Sequence, residues 1–382
     1  MNNPRSAKII IACDSFKGSL SSSSANCAVR DGILETLNSL GVSAEIRAFA
    51  IGDGGEGTSA ALSETFKARP ASVRTVGPLG DPVTATYAIS ADRRTAIMDM
   101  AAAAGLTLVP EGRLDPLAAS TRGVGTMLLD AASRGCPEII IGLGGSATTD
   151  AGTGMLAALG YRFLDAEGNI LASCGASLQK IARIAPPSAK PLEGIKITVA
   201  CDVRNPLFGP EGAAYVFAPQ KGADPMQVEE LDRGLRNFAA VSGGDYAFPG
   251  AGAAGGLGFA LRTFLDADLC PGIDLVLSAT GFTRALDGAT LVITGEGRFD
   301  TQSLMGKATG GIMRLANIKN VPVAILAGKI DDRNVALDGQ THAMLEITPP
   351  GMPLEQALEP ETAVSNLRQA AKRLIHTLFP SL

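Results

Sequence analysis

Three glycine-rich segments of this sequence join carboxylates to glycines, and two of them add a cation. They are Asp14-Ser15-Phe16-Lys17-Gly18-Ser19, Gly52-Asp53-Gly54-Gly55-Glu56-Gly57 and Gly295-Glu296-Gly297-Arg298-Phe299-Asp300, each following an apolar run. The mixture suits phosphoryl transfer. Glycines let backbone N–H groups and helix N-termini approach phosphate, cations offset its charge, and carboxylates hold Mg2+ or orient an attacking hydroxyl. One such loop alone is as readily an ordinary turn, because Gly and Asp are turn residues, but three together weaken that reading.

Two further segments have chemical potential. Gly142-Leu143-Gly144-Gly145-Ser146-Ala147-Thr148-Thr149-Asp150 follows an apolar strand and opens a helix, so its N–H groups and hydroxyls form a candidate anion site, with Asp150 either a participant or merely the N-cap. Cys201-Asp202-Val203-Arg204-Asn205-Pro206 puts a carboxylate at the end of an apolar strand, a frequent catalytic location in α/β folds.

Competing motifs are weaker. Gly52, Gly54 and Gly57 spell GxGxxG, as do Gly250, Gly252 and Gly255. With 45 glycines in 382 residues, roughly 0.6 such matches arise by chance. No clear ribose-binding carboxylate ends the strand after the first match, which argues against NAD. A Walker A loop fails because Thr301 occupies its glycine position and Ala308 follows Gly306-Lys307 where a hydroxyl belongs, although Lys307 still qualifies as a phosphate-facing cation. Both histidines, His342 and His376, lie away from the glycine loops, so a general base would be a carboxylate.

The chain must bury these loops' supports in more than one core, since 382 residues exceed one ordinary domain. A 46% hydrophobic, 19% charged composition is that of a folded protein. A formal net charge of -5 without a basic run speaks against a nucleic-acid partner. No apolar stretch reaches the roughly 18 residues of a membrane helix, and the six scattered cysteines fit buried thiols of a reducing compartment, so a cytoplasmic location is expected.

Periodicity places strands at Lys8 to Cys13, Ala44 to Ile51, Thr290 to Thr294, Val321 to Ala327 and Ala343 to Ile347. Helices alternate with them: a Ser-capped one from about Ser21 to Leu40, Thr58 to Lys67, one from about Ser303, and a closing one near Glu361 to Leu378. This predicts a flavodoxin-like, five-stranded parallel sheet built from both chain ends, residues 1–77 and 285–382. Residues 78–284 then form an inserted mixed α/β domain, entered at the turn-rich Gly77-Pro78-Leu79-Gly80-Asp81-Pro82. Within it the pattern gives strands Glu138 to Leu143 and Ile195 to Cys201. It also gives helices through Thr121 to Ser133, Asp150 to Leu159, Met226 to Val241 and Gly255 to Leu265.

Taken in order, these loops resemble the type I glycerate kinase family along nearly the whole chain. The matching segments include Asp14 to Ser21, Gly52 to Thr58, Pro78 to Val83, Gly144 to Thr148, Cys201-Asp202-Val203 with Asn205-Pro206-Leu207, Pro219-Gln220-Lys221-Gly222-Ala223, and Thr294 to Gly297 with Asp300, Gln302-Ser303 and Gly306-Lys307. The chain departs from the family pattern at Thr149 and Ala151, where Asn and Gly are commoner, and at Thr309, where Pro is.

The resemblance implies a restriction-endonuclease-like inserted domain, ATP with Mg2+, and D-glycerate as acceptor, phosphorylated at the 2-hydroxyl in preference to the 3-hydroxyl. ATP and glycerate are then expected to meet between the domains. In the corresponding roles, Asp202 orients the attacking hydroxyl, Lys17 and Arg298 lie near phosphate or carboxylate, and Asp53, Glu296 and Asp300 are Mg2+ candidates. Asp14, Ser15, Gly18, Gly54, Gly55, Gly144, Gly145, Ser146, Thr148, Asp150, Asn205, Gly295, Gly297 and Lys307 supply substrate and phosphate contacts. A homo-oligomer is compatible with the sequence. The rivals are a glycerate-binding sensor without turnover and, ranked lower, an NAD-dependent hydroxy-acid dehydrogenase.

Overall fold

The computed structural model of the chain describes residues 7–51, 58–304, 308–331 and 341–378. Its strands, in chain order, are β1 (Ala7–Cys13), β2 (Ala44–Ala48), β3 (Arg69–Val76), β4 (Pro82–Ile89), β5 (Thr95–Asp99), β6 (Glu138–Gly142), β7 (Arg162–Leu164), β8 (Arg183–Ala185), β9 (Lys196–Ala200), β10 (Asp268–Cys270), β11 (Leu291–Phe299), β12 (Val323–Ile330) and β13 (Thr341–Glu346). Two compact units share them. One comprises Met1–Asp53, Ala60–Thr65 and Ile273–Leu382, the other Gly54–Ser59 and Phe66–Gly272.

The first unit carries a five-stranded sheet of order β13-β12-β11-β1-β2, parallel throughout. Counting only its own strands along the chain, this is 2-1-3-4-5, the flavodoxin-like order. Parallel sheets are covered on both faces, which is why β1 reads as an unbroken Ile9-Ile10-Ile11 run with all three side chains out of solvent. Ser21 caps the Ser22–Leu40 helix by accepting from the Ser24 N–H at 3.2 Å. That helix is stapled to the sheet at the strand ends. Cys13 N donates to Asn26 Oδ1 (2.9 Å), Asn26 Nδ2 donates to Phe49 O (2.7 Å), and Ser22 Oγ donates to Cys13 O (2.6 Å) while accepting from Ile51 N (2.8 Å). The loops leaving β1 and β2 are thereby anchored to one helix.

The Pro360–Leu378 helix lies against the Ser22–Leu40 helix, interleaving Leu367, Ala371 and Leu374 with Val29, Ile33 and Leu37. The helices approach closely at Gly32, where a Cβ atom would stand 2.4 Å from the Arg368 carbonyl oxygen.

The second unit holds a six-stranded sheet of order β10-β9-β6-β5-β4-β3 and the small antiparallel pair β7-β8. Strands β5, β6, β9 and β10 run parallel, while β3-β4 and β4-β5 are antiparallel. The turn at Gly77–Pro82, expected to mark entry into the insertion, instead joins β3 to β4 inside this sheet, closed by Gly77 N donating to Asp81 O at 2.8 Å. The core packs Val124, Met127 and Leu128 of the Arg122–Ser133 helix on Ile139 and Ile141 of β6. An aromatic group of Phe163, Phe238 and Phe259 closes the core, with neighbouring ring centroids about 6 Å apart.

Replacing Gly32 by Ala should destabilise the first unit by about 1–3 kcal/mol, because the new methyl group meets backbone that cannot rotate away. Chemical denaturation of the variant checks this; an unchanged midpoint would contradict the close packing.

Candidate functional site

In the first unit the chain reverses its direction of growth between β1 and β11, and in such sheets ligands bind outside the carboxyl ends of the strands at that point. Asp14 N donates to Gly295 O at 2.8 Å, extending the β1-β11 ladder one residue past Cys13. Asp14 is buried, and its Oδ1 accepts from Ser15 N (2.7 Å). The next residues close a tight turn, with Phe16 and Leu20 exchanging backbone hydrogen bonds of 2.9 Å around Lys17 and Gly18, which are exposed.

The Gly295–Asp300 segment, expected to be a loop, is strand as far as Phe299. Glu296 is buried within it and Arg298 points to solvent, its Nε donating to Asp331 Oδ2 at 2.5 Å and holding that carboxyl below the ordinary carboxylate range. Asp300 caps the turn that follows: its N–H donates to Ser303 Oγ (3.1 Å) and its Oδ1 accepts from Ser303 N (3.2 Å). A 340 Å³ cavity opens on this crest, lined by Lys17, Gly297, Lys329, Glu346, Pro349 and Met352 among others. Lys329 and Glu346 were missed by the sequence reading, though their positions at the ends of β12 and β13 are the signal that finds them. Glu346 Oε1 accepts from Ile330 N at 2.8 Å.

In the second unit, Gly144 to Thr148 follow β6 and Asp202 to Asn205 follow its parallel neighbour β9, so both loops leave the same sheet edge. Asp150 lies beneath the first loop with no solvent exposure. Its Oδ2 accepts from Thr121 N (2.8 Å), Thr121 Oγ1 (2.8 Å) and Gly154 N (3.0 Å), and its Oδ1 accepts from Gly152 N (3.1 Å). Burial pushes this carboxyl up while those donors pull it down. Buried and fully engaged, Asp150 fastens two helix starts together instead of facing a ligand, which corrects its expected place among the contact residues. Ala151 next to it has φ of 51°, the left-handed region where glycine is at ease, and Thr149 Oγ1 is buried without a hydrogen-bond partner among the described residues. These two of the departures from the family pattern, Thr149 and Ala151, thus fall where the chain is locally strained or unsatisfied.

Above Asp150, Ser146 Oγ and Thr148 Oγ1 share a 3.0 Å hydrogen bond, and Thr148 N donates to Ser146 Oγ at 3.1 Å. Gly144 and Gly145 are exposed. Lys221 was quoted in the sequence only as part of a motif, yet it enters here, its Nζ donating to Thr148 O at 2.5 Å and lying 3.5 Å from Ser146 Oγ. Burial lowers its pKa from 10.5 to about 7, with the Asp150 charge opposing. A 160 Å³ cavity is bounded by Gly144, Gly145, Ser146, Val203, Gln220 and Lys221, with apolar residues completing the wall.

Asp202 is exposed, and its Oδ1 accepts from Gly272 N at 3.0 Å. Asn205 serves its own loop: its Nδ2 donates to Glu211 O (2.8 Å) and its carbonyl accepts from Gly252 N (2.9 Å). Asp99, not considered from sequence, ends β5 opposite Gly142; desolvation raises its pKa and the Ser59 hydroxyl, donating at 2.6 Å, opposes the rise.

The expected Asp53, Gly54, Gly55 and Lys307 lie outside the described residues. Among the described residues no three His, Cys, Asp or Glu side chains converge on a metal position. A Mg2+ ion carried by a nucleotide needs only one or two protein carboxylates; Asp300 directly follows β11, and Glu296 is buried four residues earlier in that strand. The Gly250-Gly252-Gly255 match enters the Ala253–Leu265 helix with no strand before it, contrary to a dinucleotide-binding turn.

The chain is thus an α/β protein of two main sheets, each with glycine-rich loops and carboxylates gathered at one edge. The chain belongs to the glycerate kinase family, whose profile matches residues 9–379. It is 44% identical over 359 residues to a glycerate kinase of Bacillus subtilis (strain 168), covering 92% of this chain and 93% of that one. It is 40% identical over 378 residues to a glycerate 2-kinase of Escherichia coli (strain K12), covering 97% and 98%. A crystal structure assigned to a glycerate kinase 2 from Salmonella typhimurium LT2 superposes with a TM-score of 0.84 at 40% identity, covering 98% of this chain and 99% of that one. Among the described residues no helix is long and apolar enough to cross a membrane.

Lys221 gives this region a testable pH signature. Between about 7 and 10.5 the unfolded chain binds a proton that the folded chain does not, so this group's contribution to stability rises with pH across that window, and its burial costs most below pH 7. Lys221→Met removes the dependence. Urea denaturation should show the stability of wild type relative to Lys221→Met improving from pH 6 to pH 9.5; a constant difference would contradict the lowered pKa.

Proposed function

We propose that the protein is an ATP-dependent glycerate kinase that transfers the γ-phosphoryl group of ATP to the 2-hydroxyl of D-glycerate, giving ADP and 2-phosphoglycerate. The observation carrying this reading is the 160 Å³ cavity of the second unit: Val203 and the Gly144–Ser146 turn line it together, so the residue that follows Asp202 in the chain bounds a space sized for a small acceptor. The name of the Escherichia coli relative supports the 2-position. On this reading the two compact units are the discontinuous flavodoxin-like domain and the inserted domain. Six free cysteines support a cytoplasmic setting.

The first unit receives the nucleotide. Lys17 and Arg298, with the Ser15 hydroxyl and the backbone of Gly18 and Gly297, meet the phosphates, the Gly295 backbone being taken up by the β1 and β12 ladders, and the cavity lined by Lys17 and Lys329 accommodates the remainder. Asp53, Glu296 and Asp300 are the residues that would hold Mg2+, which when bound offsets the charge of the phosphate oxygens. Asp14, buried at the ladder's end, takes up the Ser15 N–H and so holds the start of the turn that carries Lys17 and Gly18. In the second unit, Asp202 accepts the hydrogen bond of the attacking hydroxyl. The oxygen of that hydroxyl bonds to the γ-phosphorus as the bond to the β-phosphate oxygen breaks, ADP departs, and the hydroxyl proton passes to Asp202 and on to water. Positioning and charge supply most of the acceleration in such transfers.

Asp202→Asn should lower kcat by about 10²–10⁴-fold while leaving Mg-ADP affinity intact. Enolase added directly to the wild-type reaction should consume the product. Near-normal turnover of the variant removes Asp202 from its role, product that needs a mutase before enolase indicates the 3-position, and glycerate binding without ADP release favours the sensor.

A further inference from the structure

Lys221 sits at the end of a short 3-10 turn, Pro219–Lys221, whose geometry leaves it little freedom. Ala218 O accepts from both Lys221 N (3.0 Å) and Ala223 N (3.1 Å). Gly222 follows with φ of 95°, and a Cβ there would lie 2.8 Å from Leu114 Cβ, so no other residue turns the chain at this point without strain. The turn delivers a lysine that is 2% exposed into the interior of the second unit.

What surrounds the ammonium is neutral. Its hydrogen-bond partners are the Thr148 carbonyl and the Ser146 hydroxyl, and among the described residues no carboxylate stands within ion-pair distance of it. The one charge that acts on it, Asp150, has its oxygens committed to Thr121, Gly152 and Gly154. A buried cation balanced only by dipoles and a preoccupied carboxylate is costly, and an anion brought into contact with it would recover part of that cost. The place for one adjoins it: the 160 Å³ cavity exceeds several-fold the ~30 Å³ share of a liquid water. Its polar wall consists of Lys221, Gln220, Ser146 and the exposed Gly144-Gly145 backbone, and its remaining wall includes Leu143 and Phe217. One cation with several neutral donors matches a single carboxylate better than a polyphosphate.

We propose that this cavity is the carboxylate subsite for a small hydroxy acid, in which Lys221 Nζ, the Ser146 hydroxyl and the Gly144-Gly145 backbone receive the acid's carboxylate and impose the requirement for an anionic acceptor. The proposal rests on the glycerate kinase reading and adds to it the group that distinguishes the acid from a neutral polyol. It separates the labour of the second unit: Lys221 holds the carboxylate, leaving Asp202 to the hydroxyl. An anion so bound would return the depressed Lys221 to its charged form, so binding would take up a proton near neutral pH.

The test compares D-glycerate with D-glyceramide, its neutral isostere, on wild type and Lys221→Met, with Mg-ADP binding and circular dichroism as controls. Wild type should favour D-glycerate in kcat/KM by on the order of 100-fold, and Lys221→Met should lose most of that preference through a raised KM, with ADP affinity unchanged. Retention of the full preference by Lys221→Met overturns the proposal, as does a loss of ADP affinity with glycerate KM unchanged. If Lys221→Met does not fold, Ser146→Ala serves: a several-fold loss of the charge preference supports the subsite and an unchanged preference overturns it. Were wild type to turn over no glycerate, the kinase reading would fail by itself, and calorimetric binding of D-glycerate against D-glyceramide would still decide the subsite.

Discussion

The second unit's functional loops hang on a carboxylate that never meets water. Asp150 collects hydrogen bonds from Thr121 on one helix start and from Gly152 and Gly154 on another, and the loop carrying Gly144 to Thr148 is the chain leading into it. Leaving one partner of such a buried hydrogen bond unsatisfied typically costs about 1–3 kcal/mol, so the arrangement tolerates little drift. Thr121 Oγ1 both donates to Asp150 and accepts from Met155 N at 2.9 Å, which ties the two helix starts into one network. Ser146 and Thr148 thereby have fixed positions from which to hold Lys221.

The first unit solves the same problem with neutral groups. Asn26 and Ser22, both on the Ser22–Leu40 helix, take up backbone groups at the ends of β1 and of the segment after β2, so the strand-end loops are supported from one helix face. Each of these bonds is worth roughly 1 kcal/mol net, and together they replace the ladder partners that the strands lose on leaving the sheet. The consequence is an edge on which Lys17 and Arg298 are exposed while Glu296 stays buried in β11.

Much of this was legible in advance, for reasons that differ by element. The strands β1 and β12, and β11 over Leu291 to Ile293, are nearly all apolar because both sheet faces are covered, and the Ser21 cap fixes the following helix start, so the parallel sheet could be read from pattern. Strands β3 and β4 escaped because one face carries Ser72, Arg74, Thr84 and Thr86 to solvent, and the opposite face is built largely of small or polar-tipped residues such as Ala71, Ala85 and Tyr87. Asp150 was legible as an N-terminal helix signal but not as a buried knot, since its partner Thr121 is distant in sequence. Lys221 was the least visible. A lysine in a Pro-Gln-Lys-Gly turn reads as a surface residue, and only tertiary contact with Thr148 reveals that it is interior.

The most direct measurement is steady-state ADP formation from Mg-ATP by the purified chain, with D-glycerate and with glycerol as acceptors. The account predicts saturable ADP release that depends on D-glycerate, with one acid consumed per ADP formed and little response to glycerol. ADP formation indifferent to D-glycerate, or equal with glycerol, would contradict it.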